Sequence, residues 1–385
     1  MMLLNDLDND SEEIRMKKIT VVMLIVLLTL SPLFAGDFEF VLDEFGTNND
    51  VGFGFLPTFL TAGAAYTGFQ FIDGQKSDLM FIGGGGYTQR QVWRDAGEGQ
   101  VDTLSDDQRL FNVISGEWKV LLEQGLLWSD MTYSDLITFT LGYQGRYERY
   151  IENQGGSNSA FFDHPFFPEG EQLVANEFVF GARMETVLSE KVTKQGIDAE
   201  FTATYAPAWL LNDTFLDSTV DYLGLALTID GYLPIHQQRA QTGMNALSVF
   251  LADRVRIDFI EGDAVPVYAQ RKSSLGFKMR GFEAYSYATS FNIVNNLDLR
   301  ISGPEFVTIG LFPRGAVFVD LGYYTGHLAN SDVQIDGSFL MSTGIEVAVS
   351  VFDFLNLGVR GNYALVGETL TDNDMSLDIF MVMHY

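Results

Sequence analysis

The sequence predicts an all-β fold, a transmembrane antiparallel β-barrel of about 12–16 strands. Three observations carry that expectation. The chain alternates apolar and polar residues with period two over segments longer than soluble strands. Its composition is rich in aromatic residues and glycine, with 32 Phe, 16 Tyr and 38 Gly against 9 Pro in 385 residues. A stretch with the three parts of an export signal precedes the alternating segments.

The export signal comes first along the chain. Residues 16–36 read MKKITVVMLIVLLTLSPLFAG. Lys17 and Lys18 form a basic start, Ile19 to Leu30 an apolar core broken by Ser31-Pro32, and Ala35 a small residue for cleavage. The apolar run is short for a spanning helix. The preceding MMLLNDLDNDSEEIR is acidic and suits no signal, which points to Met16 as the natural start. Residues 1–36 are therefore expected to be an N-terminal extension and signal peptide, and 37–385 the barrel. No later segment is apolar over a helical membrane span.

The strands follow. Along 137–150, Ile137, Phe139, Leu141, Tyr143 and Tyr147 share one face, opposite Thr138, Thr140, Gln144, Arg146 and Glu148. Along 197–205, Ile197, Phe201, Ala203 and Tyr205 oppose Asp198, Glu200, Thr202 and Thr204. Near the end, Leu357, Val359, Tyr363 and Leu365 oppose Arg360 and Asn362. Successive side chains of a strand point to opposite faces, so each segment has an apolar side for lipid and a polar side for a lumen. Backbone groups in lipid must pair strand to strand, which calls for closure. Roughly thirteen such segments lie between Val51 and Tyr385, and a chain with both ends on one side requires an even number. The polar stretches 96–108 and 153–172 are long enough for extracellular loops, and 74–78 for a periplasmic turn. The GGGG at 83–86 sits within strand-like sequence, where glycine permits bending or close approach.

The last strand alternates Leu377, Ile379, Met381, Met383 and Tyr385 to the final residue. An alternating strand with an aromatic end resembles the C-terminal signal that directs bacterial outer-membrane barrels to their assembly machinery.

Composition excludes several functions. A formal net charge of −28 excludes a nucleic-acid binder. The absence of cysteine excludes disulfides, thiol catalysis and Cys-ligated metals. His164, His236, His327 and His384 show no catalytic spacing, and neither G-x-S-x-G nor H-E-x-x-H occurs. No Asp/Glu run has calcium-loop spacing. We expect no enzyme, no cofactor and no metal. The acidic excess is read as solvated loops and a polar lumen.

One stretch breaks the alternation: KMRGFEAY, 278–285, inside a long segment from about Glu261 to Ala288. Two further patterns follow it, Leu297-Asp298-Leu299 and Phe318-x-Asp320-x-Gly322. This order resembles the C-terminal half of the BamA/TamA-like surface-antigen barrels, which include outer-membrane assembly and two-partner secretion pores. That superfamily carries Val-Arg-Gly-Phe/Tyr in a loop folded into the lumen, here Met279-Arg280-Gly281-Phe282, and Phe-x-Asp-x-Gly in a later strand. Five strands follow the loop in the family, and five are expected here. The resemblance covers about Asp253 to Tyr385. It implies a barrel of about sixteen strands.

It also implies a structural latch. Phe318, Asp320 and Gly322 alternate with Val317, Val319 and Leu321, so Asp320 faces the lumen, as Asp298 does on the strand before. Arg280 is expected to pair with Asp320, with Asp298 as second candidate; the alternative is a solvated loop cation. Gly281 would let the backbone turn or approach the wall, Gly322 would leave room for the loop, and Phe282 would anchor it. Assembly members carry periplasmic POTRA domains before the barrel, whereas only about fifteen residues separate signal and expected first strand here. The resemblance implies an integral protein of the bacterial outer membrane, reached by Sec-type export and accessory to assembly or transport of proteins or lipids. A porin-like channel or structural surface protein is the alternative. Expected partners are outer-membrane lipid, the assembly machinery during biogenesis and a separate periplasmic chain.

Overall fold

A computed structural model describes residues 37–46, 59–72, 75–92, 109–129, 134–151, 172–190, 193–210, 220–239, 245–266, 268–270, 274–276, 278–282, 289–304, 310–328, 334–351, 355–367 and 374–383. The expected signal peptide, His164, His384 and Tyr385 lie outside the described residues.

The strands are β1 (Asp37–Gly46), β2 (Phe59–Phe69), β3 (Ser77–Val92), β4 (Arg109–Ser129), β5 (Ser134–Ile151), β6 (Gln172–Glu185), β7 (Leu188–Glu190), β8 (Thr193–Ala206), β9 (Asp221–Arg239), β10 (Asn245–Ala264), β11 (Thr289–Ser302), β12 (Leu311–Leu328), β13 (Gln334–Val351), β14 (Leu355–Val366) and β15 (Met375–Met383). Apart from β6 and β7, which both pair with β8, each is antiparallel to its neighbour in sequence order. The three-residue β7 resumes the ladder of β6 against β8 beyond a break at Thr186, whose backbone N–H donates to Ile197 O at 2.8 Å. Joining β6 and β7 leaves fourteen strands on the path. That number is even and within the expected range, but short of the family's sixteen. Among the described residues β1 pairs with β2 alone and β15 with β14 alone.

The first strand corrects the sequence reading. It begins at Asp37, not near Val51. In DFEFVLDEFG, Phe38 and Phe40 point outward and are 78% exposed. The frequent acids hide an ordinary alternation.

Strand length fits a bilayer. About ten tilted residues cross the hydrocarbon, and β4, β9 and β10 run 21, 19 and 20 residues. The connections alternate in size. Those at one end are short, as at 130–133, 191–192 and 352–354, and the longest at the other end fill 93–108, 152–171 and 265–288. Both β1 and β15 reach the short-turn end with their outer termini.

The two faces are chemically opposite. On β12, Val317 and Leu321 are 53% and 44% exposed, whereas Phe318 and Asp320 are 1% and 0% exposed. Such apolar outward exposure is costly in water and favourable in lipid. Inside, charges pair across strands: Arg183 with Asp198 at 2.8 Å, Arg254 with Asp230 at 2.5 Å and Arg360 with Glu346 at 3.1 Å. In β3, a Cβ on Gly84 would come within 2.7 Å of Thr61 Cα, and one on Gly85 within 2.9 Å of Gly116 Cα. The glycine run thus lies where the backbones of β2 and β4 leave no room for a side chain on β3.

Candidate functional site

The connection between β10 and β11 turns back onto the inner face of the sheet. Pro266 opens one helical turn over 268–270, with Ala269 N–H donating to Pro266 O at 2.9 Å. A second turn follows, in which Lys278 N–H and Met279 N–H both donate to Leu275 O. These turns pair the backbone N–H groups of Ala269, Gln270, Lys278 and Met279 within the segment, away from water. Leu275, Met279 and Phe282 then pack against Val294 of β11, Tyr324 of β12, Leu340 of β13 and Ala364 of β14. Val265, Tyr268 and Ala269 pack against Leu173 and Ala175 of β6, Ala206 of β8, Tyr222 of β9 and Ile260 of β10.

Arg280 lies between two inward carboxylates. Its Nε donates to Asp320 Oδ2 at 2.9 Å and its Nη2 to Asp298 Oδ1 at 2.6 Å, with a further bond from Nη2 to Asp320 Oδ1. The Arg280 backbone N–H also donates to Asp320 Oδ2, at 2.9 Å. The guanidinium fork and the main chain therefore converge on one acid, a geometry lysine cannot reproduce. The Arg280 Cζ also sits 3.7 Å from the Phe318 ring centroid. Burial works against the Arg280 charge, but the bonds and charges of Asp320 and Asp298 outweigh it and hold its pKa above the ordinary value. Asp298 is shared: Arg300 donates to its other oxygen at 2.7 Å.

The glycines fit around this pair. Gly281 has φ of +86° and a Cβ there would lie 3.2 Å from Asn362 Cβ of β14. A Cβ on Gly322 would collide with Met279 Sδ and lie 2.6 Å from Leu275 Cδ2. We expect Gly322→Val to cost about 1–3 kcal/mol by overpacking, read as faster hydrogen exchange of residues 274–282. Exchange as slow as in the native chain would show that the wall yields without displacing the loop. Gly344 on β13 has a similar role, since a Cβ there would reach 2.5 Å from Phe318 Cζ.

Three contacts escape the sequence patterns. Lys278 Nζ meets Asp258 Oδ2 of β10 at 2.5 Å, with side chains 2% and 11% exposed. Asn296 Nδ2 of β11 donates to Lys278 O at 3.2 Å. On the far side of the loop, Glu177 of β6 is 3% exposed and accepts from three donors: Gln144 Nε2 at 2.5 Å, Tyr222 OH at 2.7 Å and Tyr268 OH. Arg146 of β5 covers the Tyr268 ring at 4.8 Å while pairing with Glu117 at 2.5 Å and Glu148 at 2.6 Å. Burial and the nearby Glu177 push the Tyr268 hydroxyl well above its ordinary pKa, so it stays a donor. Tyr268→Phe removes a donor from a buried carboxylate and is expected to cost about 1–3 kcal/mol, read from unfolding midpoints of the detergent-solubilised barrel. An unchanged midpoint would mean that Gln144 and Tyr222 satisfy Glu177 without the loop.

At the C-terminal strand, Leu377 and Ile379 point outward at 74% and 69% exposure. Met381 and Met383 pair through their backbones with Leu357 and Leu355 of β14.

An antiparallel meander with a lipid-type exterior and a long loop docked on inward acids defines a transmembrane β-barrel with an occupied lumen. A crystal structure of BamA from Haemophilus ducreyi lacking POTRA domains 1–3 is similar in fold, with a TM-score of 0.52 and 12% sequence identity. The similarity covers 85% of this chain and 62% of that one, so the chain spans about three fifths of that structure's length. No family model and no curated protein matches the sequence.

Proposed function

We propose that the chain is an integral outer-membrane barrel related to the BamA/TamA-like superfamily, accessory to assembly or transport of proteins or lipids. The observation that supports this reading is the loop seated inside the sheet with Arg280 between Asp298 and Asp320. A latched loop restricts the lumen, which suits a barrel that works at its wall or in concert with a partner more than an open diffusion pore. Arg280, Gly281, Phe282, Asp298, Asp320 and Gly322 act in this reading as a structural loop lock. Leu377, Ile379, Met381, Met383 and Tyr385 serve as the insertion signal, offering an edge strand to the assembly machinery. Sec-type export delivers the chain to the periplasm.

Planar-bilayer conductance tests the reading. Small and irregular openings of the native chain, converted to larger ones by Arg280→Ala, are the expected result. A large, steady, ion-selective conductance of the native chain would replace this reading with a porin. Capture of a periplasmic chain on the native protein in outer membranes would identify the partner.

A further inference from the structure

A cavity of about 370 Å³ remains between the docked loop and the inner wall of β8, β9 and β10. Its origin is visible in the sequence of β9, whose inward side chains after Tyr222 are Gly224, Ala226 and Thr228. These small residues make a hollow between the longer side chains of β8 and β10. Lys278 and Ala269 of the loop line it on the side away from the wall. Its volume lies in the range of small-molecule sites, about 300–1,000 Å³.

The polar groups of this cavity are arranged in a row. Glu200, Thr228 and Arg256 are register partners across the three strands. Neighbouring strands are about 4.8 Å apart, so the Glu200 and Arg256 backbones stand roughly 10 Å apart. Among the described residues, Arg256 makes one hydrogen bond, from Nε to Thr228 Oγ1 at 3.4 Å, and no ion pair. Among the described residues Glu200 accepts from Thr202 Oγ1, also at 3.4 Å, and makes no ion pair, with Arg183 its register neighbour on β6. The other inward charges of this wall behave differently: Asp258 is taken by Lys278, Asp230 by Arg254 and Asp198 by Arg183. One guanidinium and one carboxylate therefore face the same cavity without an ion pair of their own among the described residues, separated by threonine hydroxyls, although Asp258 and Asp230 lie near the first and Arg183 near the second.

We infer that this cavity binds a small zwitterion of the amino acid or dipeptide class. Its carboxylate accepts from Arg256 and its ammonium donates to Glu200, with Thr202, Thr204 and Thr228 beside its backbone. A guanidinium with free terminal nitrogens suits a carboxylate in two-point geometry. Glu200 and Arg256 do not bond directly to each other, and the gap between them admits a ligand bearing both charges a few ångströms apart. This site is separate from the Arg280 latch and does not depend on what the barrel assembles or transports.

The test is calorimetric titration of the full, detergent-solubilised chain with glycylglycine, acetate and ethylammonium. Folding of each variant is checked by its heat-modifiable migration on electrophoresis. Glycylglycine is expected to bind saturably and at least about tenfold tighter than either singly charged probe. Arg256→Gln and Glu200→Gln are each expected to weaken it by about tenfold. Glu200 is exposed to the lumen, so its variant carries the test if Arg256→Gln does not fold. No saturable binding by the folded chain overturns the inference. So do equal affinities for the three probes, or glycylglycine binding unchanged by Glu200→Gln.

Discussion

Arg280→Ala is expected to release the loop from the β11–β12 wall and to raise hydrogen exchange of residues 274–282 by about two to four orders of magnitude. The size follows from what remains. Asp320 is fully buried, and its oxygens accept from the Arg280 side chain as well as from the backbone N–H. Removing one partner of a buried ion pair costs about 3–5 kcal/mol, because the other charge stays desolvated and unpaired. Arg300 partly neutralises Asp298, but among the described residues Arg280 alone forms an ion pair with Asp320. Arg280→Lys restores a charge without the fork and loses the stack on Phe318, so it should fall between native and alanine. Asp320→Asn should match Arg280→Ala, and the double variant should cost much less than the sum, since the two residues form one interaction. Native-like exchange in Arg280→Ala would show that the apolar contacts of Leu275, Met279 and Phe282 hold the loop unaided.

Much of this architecture is legible before any coordinates. Alternation reports the lipid and lumen faces because strand side chains reverse direction at each residue. Arg280, Asp298 and Asp320 stand out because each sits in a spaced pattern close to the others in sequence. The first strand is less legible. Its outward Phe38 and Phe40 alternate with Asp37 and Glu39 within the residues expected to lie between the signal peptide and the first strand. Adding it turns thirteen strands into fourteen.

The contacts on the far side of the loop leave no such trace. Tyr222 and Tyr268 reach Glu177 across 45 and 91 residues of sequence. Each looks alone like one more aromatic of a barrel rich in them. Only the curvature of the sheet around the loop brings Gln144 of β5, Tyr222 of β9 and Tyr268 of the loop to the one carboxylate of Glu177 on β6. The same holds for the cavity of β9, where Gly224 and Ala226 are ordinary strand residues until their neighbours show what they leave open.

Lys278→Met is expected to be nearly as disruptive as Arg280→Ala, whereas Lys278→Met with Asp258→Leu is expected to be close to native. The two changes separate the cost of a broken pair from the value of the pair itself. Alone, the methionine strands Asp258 in the lumen wall, at about 3–5 kcal/mol. With both charges gone, the site becomes a volume-matched apolar contact, and exchanging buried pairs for such contacts is often neutral or stabilising. The Lys278 ammonium shows how narrow the balance is. Burial draws its pKa down from 10.5 to about 8, and Asp258 offsets only part of that. The docked loop thus holds this proton less tightly than the free loop would. Docking is weakest below about pH 8, strengthens as pH rises towards 10.5, and is level above it. Exchange of residues 274–282 measured across that window should slow with rising pH in the native chain, after correction for intrinsic exchange, and show no such slope in the double variant. A double variant as mobile as Lys278→Met would mean that the Lys278–Asp258 pair contributes more than burial and shape, and that this charge is part of what fixes the loop in register.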